Sequence, residues 1–511
     1  NVLDATQAWH KDIQDRDALA GVPESALETL KALADAKGVD GYRITLDFPS
    51  FFPIVSYADS RELREEVYTA FVTRASDQGP NAGKFDNAPI LEEILALRQE
   101  LARLLGFDTY ADYSLTTKMA DSPAQVLDFL EDLARRAKPQ AQEEFAELSA
   151  YARDELGIET LNPWDVAYVS EKLREARYAI SQEQLRPYFP APRVVDGLFQ
   201  VVERLYNVQV KEDSSAPSYH DDVRFFRITE QGKPIAGFYL DLYAREGKRG
   251  GAWMADCRVR RKTENGVQLP VAFLTCNFTA PVGGKPALLT HDEVTTLFHE
   301  FGHGLHHMLT KQEVADVSGI NGVAWDAVEL PSQFMENYCW EREGLDLLAK
   351  HVDTGEPLPD VLFERLQAAK NFQSAMGMVR QIEFSLFDLR LHHELEAPSA
   401  SDVQTLLDDV RRQTSVVPVV DFNRFQNSFS HIFAGGYAAG YYSYKWAEVL
   451  SADAWSAFEE AGIFDPDTGQ RFREEILEQG GARDAAELFR AFRGREPSVE
   501  PLLRHSGIRA A

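Results

Sequence analysis

The sequence predicts a mainly α-helical protein of two lobes with one small β-sheet. Long segments carry apolar residues at helical spacing, with charged residues between them. Strand patterns are short, and all of them lie before residue 280. A chain of 511 residues exceeds the roughly 250–300 residues at which one hydrophobic core stops growing, so we expect two lobes or two cores.

Helical patterns run along most of the chain. The clearest of them outside the functional segments are 61–76, 91–106, 122–137, 361–396 and 437–460. Ser122 followed by Pro123 is typical of a helix start, because serine caps the first turn and proline fits its first position.

Strand patterns are confined to four segments. They are 43–47, 223–229, 235–243 and 271–278. The second and third flank the turn-forming residues 231–234 and therefore predict a hairpin. The pattern at 43–47 could join the same sheet. The pattern at 271–278 predicts either an edge strand, along which an extended peptide could pair, or an ordinary buried strand.

Composition argues against nucleic-acid binding and against a membrane span. The chain has 53 Lys and Arg against 81 Asp and Glu, a net charge of −28, whereas a phosphate backbone is bound by clustered basic residues. No stretch approaches the roughly 18–20 apolar residues of a spanning helix, and the first residues lack a signal-peptide pattern. Three scattered cysteines are too few for a disulfide framework. We expect a cytoplasmic protein.

The most informative segment is 290–310, a helix pattern that contains the motif HEFGH. A helix turns every 3.6 residues, so His299 and His303 project from one face and can share one Zn²⁺ at about 2.0–2.1 Å. Glu300 cannot easily coordinate the same ion but can reach a water on it as general base. From the motif alone, the alternative is a pair of structural histidines, one in the core and one exposed.

A third ligand is expected from a second helix pattern, at 323–342. Catalytic zinc sites of the His₂Glu type need three protein ligands and leave one position open for water. Glu329 follows His303 by 26 residues, enough chain for a returning helix. Asp326, one turn earlier, either orients a ligating histidine or is a helix-start acid. The predicted site is one Zn²⁺ held by His299, His303 and Glu329.

Longer blocks around and beyond the motif are far more specific than HExxH itself. They are HEFGHGLHHML (299–309), VSGINGVAWDAVELPSQFMENYCWE (317–341), ASDQGPNAGKFDN (75–87), FYLDLYAREGKRGGAW (238–253) and HIFAGGYAAGYYSYKW (431–446). In these blocks the chain closely resembles the thimet oligopeptidase-like (M3) metallopeptidases. The resemblance implies a zinc-dependent peptidase of short peptides, nearly all-helical, with two lobes flanking a deep channel and a small sheet near the metal.

The resemblance also implies a domain organisation. Residues 56–511 match the catalytic region of the family, and residues 1–55 match the remainder of an N-terminal helical region. The part that family members carry before the segment matching Asn1 is expected to be absent, which bears on the channel wall.

Three tyrosines follow the pair Gly435-Gly436. Tyr437, Tyr441 and Tyr444 are spaced i, i+4, i+7, so they are predicted to share one helix face. From spacing alone, such a stripe is more typical of core packing. The resemblance implies instead that these tyrosines and His431 line the substrate cleft. It makes Tyr444 the first candidate for stabilising the oxyanion of amide hydrolysis, with His431 as a further candidate.

Together these observations predict a zinc endopeptidase that cleaves internal bonds of short oligopeptides and acts as a monomer. One alternative is a dipeptidyl carboxypeptidase of the same superfamily, which would need a cation to bind the free carboxylate of its substrate. A second alternative, of another class, is a non-catalytic relative that binds peptides. The presence of Glu300 weighs against that class, because a pure binder has no need of a base.

Overall fold

Amphipathic helices with helix-starting residues in their first turns build most of the protein. The computed structural model describes residues 1–509, and 55% of the chain is helical. The α-helices of the first 206 residues are α1 (Val2–Gln7), α2 (Glu24–Ala36), α3 (Phe48–Tyr57), α4 (Arg61–Val72), α5 (Ala88–Leu104), α6 (Tyr110–Leu115), α7 (Pro123–Leu156), α8 (Pro163–Tyr178), α9 (Gln182–Leu185) and α10 (Ala191–Tyr206).

The remaining helices follow the sheet region. They are α11 (His291–Met308), α12 (Leu330–Glu336), α13 (Arg342–Leu348), α14 (Asp360–Ala369), α15 (Ser374–Glu394), α16 (Ala400–Thr414), α17 (Ser430–Phe433), α18 (Ser443–Ala461), α19 (Pro466–Phe472), α20 (Ala485–Arg493) and α21 (Glu500–His505). Within residues 1–509, no helix combines the length and the apolar character that crossing a membrane requires.

The predicted start of α7 is confirmed, but its predicted end is wrong. The Ser122 hydroxyl accepts the Gln125 amide, and Pro123 occupies the first turn. The helix then continues through Pro139 to Leu156, where Gly157 ends it at φ +67°. The apolar stripe simply continues, since α7 packs along α15 for much of its length. The pattern at 361–396 is likewise divided into α14 and α15.

The strands form three small sheets in the part of the chain that the structure describes. The strands are β1 (His10–Ile13), β2 (Tyr42–Thr45), β3 (Gln209–Glu212), β4 (Arg224–Glu230), β5 (Lys233–Tyr243), β6 (Trp253–Arg258), β7 (Arg261–Thr263), β8 (Gly266–Gln268) and β9 (Val271–Phe278). The main sheet has the order β3-β4-β5-β9-β6, with β5 and β9 parallel and the other neighbours antiparallel.

The predicted hairpin is confirmed, whereas the expectation that the 43–47 strand joins the main sheet is wrong, and of the two alternatives for 271–278 the structure shows the buried strand. Strands β4 and β5 pair around Gln231 and Gly232, both at positive φ, as two-residue hairpin turns require. Strand β2 pairs with β1 in a separate sheet and does not join the main one. Strand β9 lies between β5 and β6, so it is an interior strand, and β6 forms the free edge on that side.

Two large hydrophobic cores dominate the interior. The first is built by α10, the main sheet, α11, α12 and α18. The second is built by α7, α15, α16 and the segment 429–442. Smaller clusters hold the N-terminal elements up to α4 and the contact between α7 and α8. The expectation of two cores corresponds to the two large clusters, and the HExxH helix belongs to the first of them.

Candidate metal centre and active site

The HExxH motif lies on α11, whose start is defined by its sequence. Thr290 and Glu293 form the predicted capping box, in which each side chain accepts the other residue's backbone N–H. A buried apolar stripe then holds α11 against β9 and the rest of the first core. On the opposite side, His299 and His303 stand one turn apart, with ring centroids separated by 5.1 Å.

A glycine allows the next helix to approach the motif closely. A Cβ atom at Gly302 would lie 2.4 Å from the Pro331 carbonyl oxygen and 2.5 Å from Ser332 Cα, which are both backbone atoms of α12. Only glycine permits this contact between the two helices. Because Glu329 directly precedes α12, the same contact places its carboxylate beside the histidines.

Three side chains of the predicted metal set converge. His299 Nε2 lies 3.2 Å and His303 Nε2 3.0 Å from Glu329 Oε2. One ligand atom from each residue lies within 4.8 Å of the others, as a single ion requires. Burial favours a neutral Glu329, yet the charge of His303 and hydrogen bonds from both histidines hold its pKa well below the usual value. Two imidazoles and one carboxylate match the donor set of a His₂Glu zinc site.

Glu336 is a further site residue, which the sequence analysis did not predict. It contacts His299 at Nδ1, whereas Glu329 lies near Nε2 of the same ring. Glu336 Oε1 lies 2.6 Å from His299 Nδ1 and orients the ring. Asp326 has a different place: it accepts the backbone N–H groups of Met119 and Ala120 and the Tyr442 hydroxyl. The spacing of Glu329 and Glu336, two helical turns, is the signal that could have identified Glu336.

Glu300 is buried beside the metal set and has a free oxygen. It is 5% exposed, and its Oε2 has no hydrogen-bond partner among residues 1–509. Burial raises its pKa, against the opposing charges of His299 and His303. A buried carboxylate with an elevated pKa and an unused acceptor is suited to take up and release a proton.

The four side chains His431, Tyr437, Tyr441 and Tyr444, here called the tyrosine cluster, meet next to Glu329. The Tyr437 hydroxyl donates to Glu329 Oε1 at 2.6 Å. The rings of Tyr437 and Tyr444 stack at 5.0 Å, and Tyr441 packs 5.0 Å from Tyr444. His431 lies within 6.5 Å of all three rings. The structure therefore brings every predicted site residue into one place.

The backbone that carries Tyr437 and Tyr441 is not the predicted helix, whereas Tyr444 lies in the first turn of α18. Helix α18 begins only at Ser443, and the preceding residues form turns with Ala439 at φ +49°. The buried Asp388 on α15 holds these turns, because it accepts the backbone N–H groups of Ala439, Gly440 and Tyr441 at 2.9 Å each. A carboxylate saturated by three N–H donors stabilises this irregular segment better than water could.

The other end of the segment is held by the same network. His392 Nδ1 lies 3.1 Å from Asp388 Oδ1, and Arg98 Nη1 lies 3.0 Å from His392 Nε2. Arg98 also donates to the Ile432 carbonyl, next to His431. The chain from Arg98 to Asp388 thus secures the segment on both sides of the tyrosine cluster, and no local sequence pattern indicates it.

An HExxH helix whose two histidines meet a glutamate from the following helix is the arrangement of the His₂Glu metallopeptidases. The chain belongs to peptidase family M3, whose model matches residues 54–508. The family that the sequence blocks indicated is therefore confirmed, and membership makes this protein a metallopeptidase.

Relatives and solved structures agree with this membership. The chain is 58% identical over 511 residues to oligopeptidase A of Salmonella typhimurium. This alignment covers 100% of this chain and 75% of that protein. It is 34% identical over 515 residues to dipeptidyl carboxypeptidase of Escherichia coli, in an alignment that covers 99% of this chain and 74% of that protein.

The solved structures are similar in fold alone. The structure of PZ peptidase A with inhibitor 2 matches with a TM-score of 0.57 at 17% identity, over 95% of this chain and 74% of that one. The Pyrococcus furiosus carboxypeptidase matches with a TM-score of 0.52 at 16% identity, over 94% and 88%. The mainly helical class with a small sheet, predicted from the sequence, is confirmed.

Proposed function

We propose that this protein is a zinc-dependent endopeptidase of the oligopeptidase A type, which hydrolyses internal bonds of short peptides in cytosolic peptide and signal-peptide breakdown. The observation that carries the proposal is the meeting of His299, His303 and Glu329 within 4.8 Å, with the buried, unpartnered Glu300 carboxylate beside them. The identity of 58% to an oligopeptidase A supports this type over the carboxypeptidase relative at 34%.

One Zn²⁺ per chain is the proposed cofactor, with His299, His303 and Glu329 as its ligands. When bound, it would polarise the scissile carbonyl and lower the pKa of a water molecule. Neighbouring side chains orient the ligand residues. Glu336 contacts His299 at Nδ1, and the Tyr437 hydroxyl donates to Glu329 Oε1. Glu329 Oε2 lies near both histidines and also accepts a hydrogen bond from the Ser332 hydroxyl at 2.9 Å, so it is the proposed ligand atom.

Glu300 is the proposed general base and acid. Its free oxygen can accept a proton from the attacking water and later return it to the leaving amine. Burial raises the pKa of Glu300, which strengthens it as a base compared with an exposed glutamate. Its place next to His299 on α11 keeps it within reach of the same water without making it a ligand.

Tyr444 is the proposed oxyanion donor, with His431 as a further candidate. The hydroxyl proton of Tyr437 is already donated to Glu329, so Tyr437 is less available for a substrate oxygen. Burial and the charge of Glu329 raise the pKa of Tyr444 well above its usual value, which keeps its hydroxyl protonated. Tyr437 and Tyr441 are proposed to line the substrate site on either side of Tyr444.

The free edge of the main sheet is the proposed backbone contact for the peptide. Strand β6 is the edge strand on the side of α11 and packs against that helix. Its unpaired backbone groups are suited to hydrogen-bond an extended peptide. Strand β9, one of the two alternatives for which was such an edge, is an interior strand and cannot make this contact.

Several further properties belong to the proposal. The partners are short peptides, without nucleic acid or membrane, and the protein is a cytoplasmic monomer. Residues 56–511 form the catalytic region, and residues 1–55 belong to an N-terminal helical region. The packing of the N-terminal elements against α4 in a cluster of their own supports such a region.

Product analysis of one neutral peptide of about ten residues tests the activity. The peptide is offered as free acid and as C-terminal amide, with zinc and with chelator, and products are identified by mass spectrometry. Internal cuts in both forms that zinc restores after chelation are expected. Stepwise loss of dipeptides from the free acid alone would contradict the endopeptidase and select the carboxypeptidase. Binding without cleavage by the zinc-loaded protein would select the non-catalytic class.

A further inference from the structure

The metal centre is surrounded by acidic groups, so any anionic part of a bound peptide needs a cation from elsewhere. Glu300, Glu329 and Glu336 all converge on it. Among the basic side chains near the tyrosine cluster, Arg98 is engaged by His392 and the Ile432 carbonyl, and Lys445 is engaged by Glu448. Three others in residues 1–509 come near the cluster or the turns that carry it. They are Lys118, Arg249 and Arg380.

Two of these cations are already engaged. Arg380 donates to Oε1 of the buried Glu383 at 2.6 Å, an oxygen that also accepts from Arg411 at 3.1 Å, so the Arg380 guanidinium is held in an ion pair within the protein. Lys118 lies against Gly440, but its amine donates to the Ser114 carbonyl and hydroxyl oxygens at 2.7 Å each. Neither the Lys118 amine nor the Arg380 guanidinium is therefore free to bind a substrate.

Arg249 differs from both. Its guanidinium lies 5.3 Å from the ring centre of Trp253, and its side chain makes no hydrogen bond or ion pair with any residue between 1 and 509. The side chain is exposed. Burial lowers the pKa of His431, and the positive charge of Arg249 lowers it further.

The backbone that carries Arg249 is firmly held, although the side chain is free. The amine of Lys248 donates to Asp241 Oδ1 at 2.8 Å and to the Tyr243 carbonyl at 2.7 Å. Asn277 Nδ2 donates to the carbonyls of Arg249 and Gly251, at 2.8 and 2.6 Å. Fixing the main chain on both sides of a free guanidinium reduces the entropy lost when that group binds a ligand.

We propose that Arg249 binds a carboxylate of the peptide substrate and so determines which peptides are preferred. A guanidinium presents a planar fork that matches a carboxylate, and stacking on an aromatic ring leaves that fork available. Arg249 stands four residues before Trp253, the first residue of the free edge strand β6, so a peptide paired with this edge passes beside it. The carboxylate belongs to the C-terminus of the peptide or to an acidic side chain.

This inference rests on the proposed function, and three matched peptides test it. The first two share one sequence without charged side chains, as the free acid and as the C-terminal amide. The third is the same amide with one glutamine downstream of the cleaved bond replaced by glutamate. Values of kcat/KM and of Kd, the latter by fluorescence anisotropy of labelled peptide, are measured for the zinc-loaded wild type, Arg249→Gln and Arg249→Lys. Arg204→Gln is the matched control, because Arg204 is an exposed arginine on α10 whose guanidinium likewise lies over an aromatic ring, 5.4 Å from the ring centre of Phe464.

Wild-type protein is expected to prefer at least one carboxylate-bearing peptide over the neutral amide. Arg249→Gln reduces that preference ratio about five- to tenfold. Arg249→Lys retains part of it, and Arg204→Gln retains all of it. A loss confined to the free acid assigns the C-terminal carboxylate, and a loss confined to the glutamate peptide assigns an acidic side chain.

An unchanged preference ratio in Arg249→Gln, or an equal loss with all three peptides, would overturn the inference. Failure of the proposed function gives a different result, because then the zinc-loaded wild type cleaves no peptide at all. In that case the Kd ratios of the same three peptides still decide whether Arg249 recognises a carboxylate.

Discussion

The close approach of α11 and α12 at Gly302 can be tested by adding a single methyl group. In Gly302→Ala the new Cβ would meet the Pro331 carbonyl at 2.4 Å, whereas ordinary contact begins at 3.4 Å, so the helices must separate by about 1 Å. The atoms in the way belong to backbone, so no flexible side chain can give way. Pro331 follows Glu329 by two residues, and Gly302 directly precedes His303, so the separation opens the proposed metal set itself.

Two magnitudes follow from this displacement. Overpacking of this kind costs about 1–3 kcal/mol of the free energy of unfolding. A metal site tolerates only about 0.2 Å in its ligand distances, so a shift of about 1 Å is several times too large for Glu329 to coordinate without rearrangement. We expect the zinc affinity to fall at least about tenfold, comparable to the loss of a residue that orients a ligand.

The assay measures zinc affinity by competition with a coloured chelator, and stability by urea unfolding of the metal-free protein. Gly377→Ala is the matched control, because Gly377 is an exposed glycine within α15 and its Cβ would meet nothing within 4 Å. This control is expected to gain up to about 1 kcal/mol in stability, since alanine favours a helix, and to keep its zinc affinity. If Gly302→Ala bound zinc as tightly as wild type and unfolded at the same urea concentration, the close contact would not control the site.

Three further substitutions test individual roles in the site. Glu300→Gln keeps the shape of the side chain but cannot accept a proton, so kcat should fall at least about a hundredfold while zinc affinity stays within about threefold; wild-type turnover would refute the assignment of the base. Glu336→Gln retains a polar contact with His299 but loses its charge, so zinc affinity should fall about tenfold in the same chelator competition. An unchanged affinity would show that Glu336 does not support the ligand. Asp388→Asn replaces one acceptor oxygen by an N–H₂ group that faces backbone N–H donors, and it should lower the free energy of unfolding by about 2 kcal/mol. Because Asp388 positions the tyrosine turns and reaches the metal set only through Tyr437, kcat/KM should fall by a larger factor than zinc affinity; an equal loss of both would mean a general structural role.

Local features of this protein were predictable from the sequence, because they depend on residues a few positions apart. Helical periodicity places His299 and His303 on one face, and the capping box at Thr290 starts their helix wherever that helix packs. The hairpin between β4 and β5 depends on two turn residues in the same way. Family membership was predictable for another reason, since long sequence blocks retain the pattern of a whole fold.

The contacts that orient the metal set were decided by tertiary structure. Asp326 and Glu336 are both spaced from Glu329 in a manner compatible with a helix, so spacing makes both of them candidates without choosing between them. The segment before Leu330 forms turns, so Asp326 is directed to the backbone of Met119 and Ala120, far away in the sequence. Glu336 stays on the helix that approaches α11 and therefore meets His299.

In the tyrosine cluster, too, one part was predictable from the sequence and another part was decided by tertiary structure. The residue types of the cluster were visible in the sequence, but their spacing predicted a helix face that does not form. The buried carboxylate of Asp388, which lies 51 residues before Ala439, binds three backbone N–H groups and favours turns in place of a helix. The sequence by itself thus determined the chemistry of the site, through motifs within single helices. Only tertiary structure decided its geometry, because hydrogen bonds between distant segments compete with local helix formation and, in a buried environment, prevail.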